Sequence, residues 1–160
     1  MIQRKQTCCF TGHRIIRPEQ IGDITQRLNE TVQLSINEGY INFCTGGALG
    51  FDTIAAQTVL SMKLSYPQIN LLLILPYQSQ TSGWLQSDKS LYEKIKFESD
   101  AVEYVAGHYY RGCMQKRNRR MVDYSSRCIC YLTEEHEKSG GTAYTVKYAR
   151  KSGIEIINIA

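Results

Sequence analysis

Three turns in this chain combine glycine, hydroxyl and basic residues as an anion site would. Thr11-Gly12-His13-Arg14 leaves the β-type run Thr7-Cys8-Cys9-Phe10. Gly46-Gly47-Ala48-Leu49-Gly50-Phe51-Asp52 follows Asn42-Phe43-Cys44-Thr45. Ser139-Gly140-Gly141-Thr142 follows the run Arg127 to Leu132 and a polar loop. Glycine lets backbone approach a ligand closely, and a helix start offers unpaired N–H groups with partial positive charge. Repeated at one edge of a parallel sheet, such turns can hold phosphate or another anion.

Individual side chains sharpen that chemistry. Arg14 is suited to grip a phosphate or carboxylate bidentately, with pairing to a local acid as the structural alternative. His13 has the chemistry of an acid or base, or simply packs and hydrogen-bonds. Asp52 reads either as the N-cap of the helix that follows or as an acceptor for ribose hydroxyls. It is also the one weak candidate for a catalytic carboxylate. The second turn lacks the Lys-Ser/Thr of a Walker loop and is not a strict Gly-x-Gly-x-x-Gly.

Arg117-Asn118 is expected in the first turn of a helix. Asn118 donates and accepts at once, which suits a base edge or ribose, and Arg117 supplies charge. Capping and a solvated face are the alternatives. Lys116, Arg117, Arg119 and Arg120, with Arg127 near in sequence, form either a solvated helix face or an anion patch. The Gly140-Gly141 turn with Thr142 reads as an anion nest or an ordinary loop with Thr142 as cap. Tyr77 and Trp84, the sole tryptophan, could stack on a base or close a pocket, or equally anchor their loop or a dimer contact. Tyr109 and Tyr110 carry the same ambiguity.

Elements that would position these turns alternate strictly. Strands are expected at Thr7 to Phe10, Ile41 to Thr45, Asn70 to Leu75, Ala101 to Val105, Arg127 to Leu132 and Ile154 to Asn158. Helices are expected from about Pro18 to Glu38, after Asp52 to about Lys63, and over Ser87 to Ser99. Two more are expected over Met114 to Tyr124 and Thr142 to Lys151. Ile21, Ile24, Leu28, Val32 and Ile36 recur at helical spacing, and Gly39 is placed to end the first helix. The apolar run ending at Pro76 suits a strand buried on both faces. The pattern predicts a three-layer α/β/α, Rossmann-like fold with a mainly parallel six-stranded sheet. Two orders fit, 3-2-1-4-5-6 and 4-3-2-1-5-6, and both put the first strand where the order reverses.

Length and composition agree with one domain over 1–160. The chain carries 19 basic and 15 acidic side chains, a net charge of +4, which is mild for nucleic-acid binding. No apolar run is long enough to span a bilayer and no signal peptide is read, so a cytoplasmic location is expected. Of six cysteines, Cys8, Cys9, Cys44, Cys128 and Cys130 fall inside predicted strands as small hydrophobes. With no Cys-x-x-Cys and with His13, His108 and His136 scattered, no metal site is expected.

Together, Cys8 to Arg14, Gly46 to Asp52, Arg117-Asn118-Arg119-Arg120-Met121-Val122-Asp123 and Ser139 to Thr142 resemble the YpsA-like branch of the SLOG superfamily of Rossmann-like proteins. That superfamily also includes the DNA-processing protein DprA and LOG-type phosphoribohydrolases. The resemblance covers nearly the whole chain and implies a pocket for a nucleotide or ADP-ribose-like molecule along the glycine turns. Two departures stand out. The Pro-Gly-Gly-x-Gly-Thr motif and catalytic Glu of LOG-type hydrolases are missing here. Ile15 stands where relatives usually have proline, which bears on loop stiffness.

Three functions follow as expectations. The leading one is a nucleotide-binding sensor or regulatory module, with no cofactor assigned. The second is hydrolysis of a nucleotide N-glycoside or phosphoester, with Asp52 near the ribose and Glu134, Glu135 or Glu137 as partner. The third is single-stranded DNA binding, by analogy with DprA. A homodimer is compatible with the sequence.

Overall fold

The computed structural model describes residues 3–160. Its strands are β1 (Thr7–Gly12), β2 (Asn42–Thr45), β3 (Asn70–Leu75), β4 (Ala101–Tyr104), β5 (Arg127–Tyr131) and β6 (Glu155–Asn158). Its helices are α1 (Pro18–Asn37), α2 (Phe51–Lys63), α3 (Gln86–Glu98), α4 (Cys113–Asp123) and α5 (Gly141–Lys151). All strand pairs are parallel, in the order β4-β3-β2-β1-β5-β6. This is the second of the two orders, and it sets β5 rather than β4 beside β1.

Strand alternation sorts the core into two layers. Cys8, Phe10, Phe43, Leu71, Leu73, Leu75 and Ile129 face α1, α2 and α3, where Leu28, Val32, Val59 and Ile95 cover them. Cys9, Cys44, Cys128 and Cys130 face the opposite way, against Met121, Val122, Val146 and Ala149 of α4 and α5. All six cysteines are buried and unpaired. α1 begins with Pro18 at its first position and ends in a Schellman turn. There Tyr40 N–H donates to Ser35 O and Gly39 N–H to Ile36 O, both over 3.0 Å, with Gly39 at φ 99°.

Several boundaries differ from expectation. β1 runs on through Thr11 and Gly12, because these residues continue the parallel ladder to Cys130 and Tyr131. α2 begins at Phe51 with Gly50 as its N-cap, so Asp52 is inside the helix and is not its cap. α4 begins at Cys113, which moves Arg117 into the second turn. Thr142 is likewise within α5, whose N-cap is Gly140.

The basic cluster divides in space. Arg127 lies at the start of β5, on the rim opposite the glycine turns. It is 4 % exposed and bonds Glu155 at 2.7 Å, Ser35 at 3.0 Å and Glu38, with its guanidinium over Tyr40. Arg119 donates to the Tyr144 hydroxyl over 2.6 Å, and Arg120 pairs with Glu103 at 3.3 Å. These three arginines therefore form no common patch. Among the described residues, no helix is long and apolar enough to cross a membrane.

Candidate functional site

The C-terminal ends of β1 and β5 open into a cleft of about 700 Å³. Parallel strands with right-handed crossovers gather these ends on one rim, and β1 is the point at which the order reverses. Thr11, Gly12, His13 and Arg14 line one wall, and Gly140, Gly141 and Thr142 another. Asp52, Arg117 and Asn118 complete it, with Met114 and Met121 as an apolar bed.

Glycine packs the β1 turn against α2. A Cβ on Gly12 would overlap the Phe51 side chain, and one on Gly50 would overlap the Arg14 carbonyl oxygen. Gly50 also has φ 77°, which disfavours any side chain. Phe51 N–H donates to His13 O over 3.1 Å and binds the two turns together.

Two buried side chains of opposite charge line the cleft without forming a direct ion pair. Asp52 is 7 % exposed and Arg117 4 %. Ala48 N–H donates to the Asp52 carboxylate over 3.2 Å. Arg117 donates to Gly46 O and, through Nε, to Asn118 Oδ1 over 2.8 Å. Burial raises the Asp52 carboxyl above its ordinary value, opposed chiefly by the charge of Arg117. Burial lowers the Arg117 guanidinium, and Asp52 opposes that. Arg117 is thus a buried wall, neither a cap nor a solvated face. The Arg14 side chain is exposed at the mouth, where it makes no hydrogen bond or ion pair with a described residue.

The remaining predicted residues lie outside the cleft. Gly46 turns its carbonyl to Arg117, and Gly47, at φ 70°, packs against Leu75. Tyr77 meets Tyr109 edge to face at 5.6 Å, and Trp84 meets Tyr92 at 5.5 Å. Trp84 borders a separate small cavity of about 30 Å³. Thr133 and His136, which the sequence did not single out for this site, line the cleft beside Glu135, one of the three acids it offered as a partner for Asp52. Their signal was the choice of sheet order, since only β5 beside β1 brings that loop to His13.

The family model described as the YspA SLOG family (YpsA) matches residues 16–159. The chain belongs to that family. A UPF0398 protein of Bacillus cereus (strain G9842) is 25 % identical over 135 residues, 83 % of this chain and 72 % of the relative. A UPF0398 protein of Bacillus thuringiensis (strain Al Hakam) is 26 % identical over 132 residues, covering 81 % and 71 %. Among solved structures, DNA processing protein A from Helicobacter pylori superposes with a TM-score of 0.65 at 17 % identity. That work describes a single-stranded DNA binding mode of the Helicobacter protein. The likeness covers 96 % of this YspA SLOG chain and 64 % of the neighbour, under two thirds of its length, and it shows the shared fold.

Proposed function

We propose that the cleft binds a nucleotide or an ADP-ribose-like molecule and that the protein acts as a sensor or regulatory module. One observation carries this reading. The unpaired Arg14 and the α5 N-terminus, which has no side-chain cap, converge on a single cleft. A helix start and a free guanidinium together suit a phosphate. Asn118 and the Met114–Met121 bed suit a base or ribose, and the cleft's volume is that of a small-molecule site. The cytoplasmic location belongs to the same reading.

Thermal shift against AMP, NAD, ADP-ribose and cyclic nucleotides tests it. Ligand at a hundred times its Kd adds about 2.7 kcal/mol, or roughly 5–10 °C for a chain of this size. Arg14→Ala removes the cation. Gly141→Asp puts a carboxylate in open space at the α5 start, where it suits the helix dipole but repels an anion. Loss of the shift in both variants supports the reading, and a shift retained in both defeats it.

Asp52 at the cleft supports a second reading, hydrolysis of a nucleotide N-glycoside or phosphoester. Asp52→Asn that binds without turnover supports it, and equal turnover defeats it. The fold shared with DNA processing protein A motivates a third, single-stranded DNA binding. Oligonucleotide retention that falls steeply with salt supports that one.

A further inference from the structure

A ladder of side chains also lines the cleft. Thr133 stands between two imidazoles. Its backbone N–H donates to His13 Nε2 over 3.2 Å. Its hydroxyl lies 3.4 Å from the same nitrogen and 3.0 Å from His136 Nδ1. The ring centroids are 4.7 Å apart, and Tyr131 packs edge-on against His13.

This arrangement fixes where the protons sit. A backbone N–H can be accepted only by a bare nitrogen, so neutral His13 carries its proton on Nδ1. The Thr133 hydroxyl has one proton. Given to His136 Nδ1, it leaves that ring protonated on Nε2. Each imidazole then keeps one N–H for which no described residue provides an acceptor. Both rings line the cleft.

We propose that the His13–Thr133–His136 ladder is the subsite for a phosphomonoester, so that the ligand is a nucleotide with a terminal phosphate rather than a cyclic one. The inference rests on the nucleotide reading of the cleft. A phosphomonoester has a second pKa of about 6 and three acceptor oxygens. Its dianion can accept from both free imidazole N–H groups and favours a protonated ring beside it. A diester has a single charge and no second ionisation.

The ladder also says which ring takes the proton. A solvent proton added to His136 Nδ1 turns that nitrogen into a donor to Thr133 Oγ. The hydroxyl then turns its own proton away from His136, and the single lone pair of His13 Nε2 stays with the Thr133 backbone N–H. His13 remains neutral, in keeping with the downward pull of burial and of His136 on its titration. Arg14 and Arg17 on the β1–α1 turn and Arg117 on α4 oppose the added charge. Glu135 beside His136 and Asp52 on α2 favour it.

Calorimetric titration with AMP and 3′,5′-cyclic AMP, in two buffers of different ionisation heat, tests the subsite. AMP should bind about tenfold more tightly than the cyclic nucleotide and take up protons. Its affinity should fall about tenfold between about pH 6.5 and about pH 8. His136 is exposed, so His136→Gln keeps the fold, and it should flatten the pH dependence and erase the preference. AMP binding without proton uptake, or a pH dependence kept in His136→Gln, overturns the ladder and leaves the nucleotide reading standing. If neither nucleotide binds, imidazole ¹⁵N titration with inorganic phosphate decides. A raised His136 midpoint keeps the phosphomonoester subsite for a ligand other than AMP, an unmoved midpoint overturns the subsite, and the thermal-shift series with NAD and ADP-ribose decides the wider nucleotide reading separately.

Discussion

Arg117 of α4 donates to the backbone carbonyl of Gly46, 71 residues away, and so ties the α4 layer to the turn after β2. The contact explains Gly46. A Cβ there would collide with the Arg117 guanidinium, so this glycine makes room for an arginine rather than for a ligand.

Removing that guanidinium should be expensive. Arg117→Ala leaves the Gly46 carbonyl and Asn118 without their buried donor and removes the positive charge nearest in effect to Asp52, and about 3 kcal/mol of stability should be lost. In thermal melts this is a fall of about 6–12 °C. Arg117→Met with Asp52→Asn removes both charges, and the double variant should recover at least about 1 kcal/mol relative to additivity. Additive losses would show that the two residues do not interact.

Glycine at position 50 should prove irreplaceable where glycine at 141 does not. Gly50→Ala meets the Arg14 carbonyl and demands a left-handed alanine, so it should cost at least about 2 kcal/mol. Gly141→Ala meets nothing within 4 Å and should change stability by less than about 1 kcal/mol. Urea melts of the two variants give the comparison directly.

His13 should make the fold acid-sensitive. Burial, and then His136, hold its titration below the ordinary value of 6.5. The unfolded chain therefore binds this proton at a higher pH than the folded one. Stability from His13 is complete above the unfolded value and declines as pH falls through it toward the folded one. The Tm of His13→Gln relative to wild type should thus rise as pH drops from about 7.5 to about 5. A difference that stays constant with pH would contradict this.

Arg127 should govern stability without touching the ligand. Its partners Glu38, Glu155 and Ser35 all lie at the rim away from the cleft. Arg127→Leu should lower Tm by several degrees, from about 2 kcal/mol, while ligand affinity measured well below Tm stays the same. A parallel loss of affinity would mean that the two rims communicate.

The layers of the fold were legible because the apolar patterns are strong. The Leu71–Leu75 run and the Ile24, Leu28, Val32, Ile36 spacing each admit one packing. Gly39 announced its own Schellman turn. Sheet order was not legible, since strict β-α alternation suits either neighbour for β1. From the loop after β5 the sequence offered only the acids Glu134, Glu135 and Glu137, and not Thr133 or His136, for that reason. Arg117 was misplaced because a helix start at Cys113 carries no Ser, Thr, Asp or Asn cap to mark it. Arg127 was grouped with α4 by nearness in sequence, although β5 carries it to the other rim. Tyr77 and Trp84 were singled out by residue type, and type does not distinguish a lid from a half-buried aromatic pair such as Tyr77–Tyr109 or Trp84–Tyr92.

The buried thiols give the molecule an internal clock. Cys44, Cys9 and Cys128 lie side by side across the sheet's centre, and burial drives Cys44 well above an ordinary thiol and Cys130 up to about 12. A reagent reaches these thiols only when α4 and α5 lift from the sheet face they cover. Alkylation under native conditions therefore counts openings rather than collisions, and whether Cys8 or the Cys9, Cys44, Cys128 and Cys130 group is marked first records which helical layer detaches first.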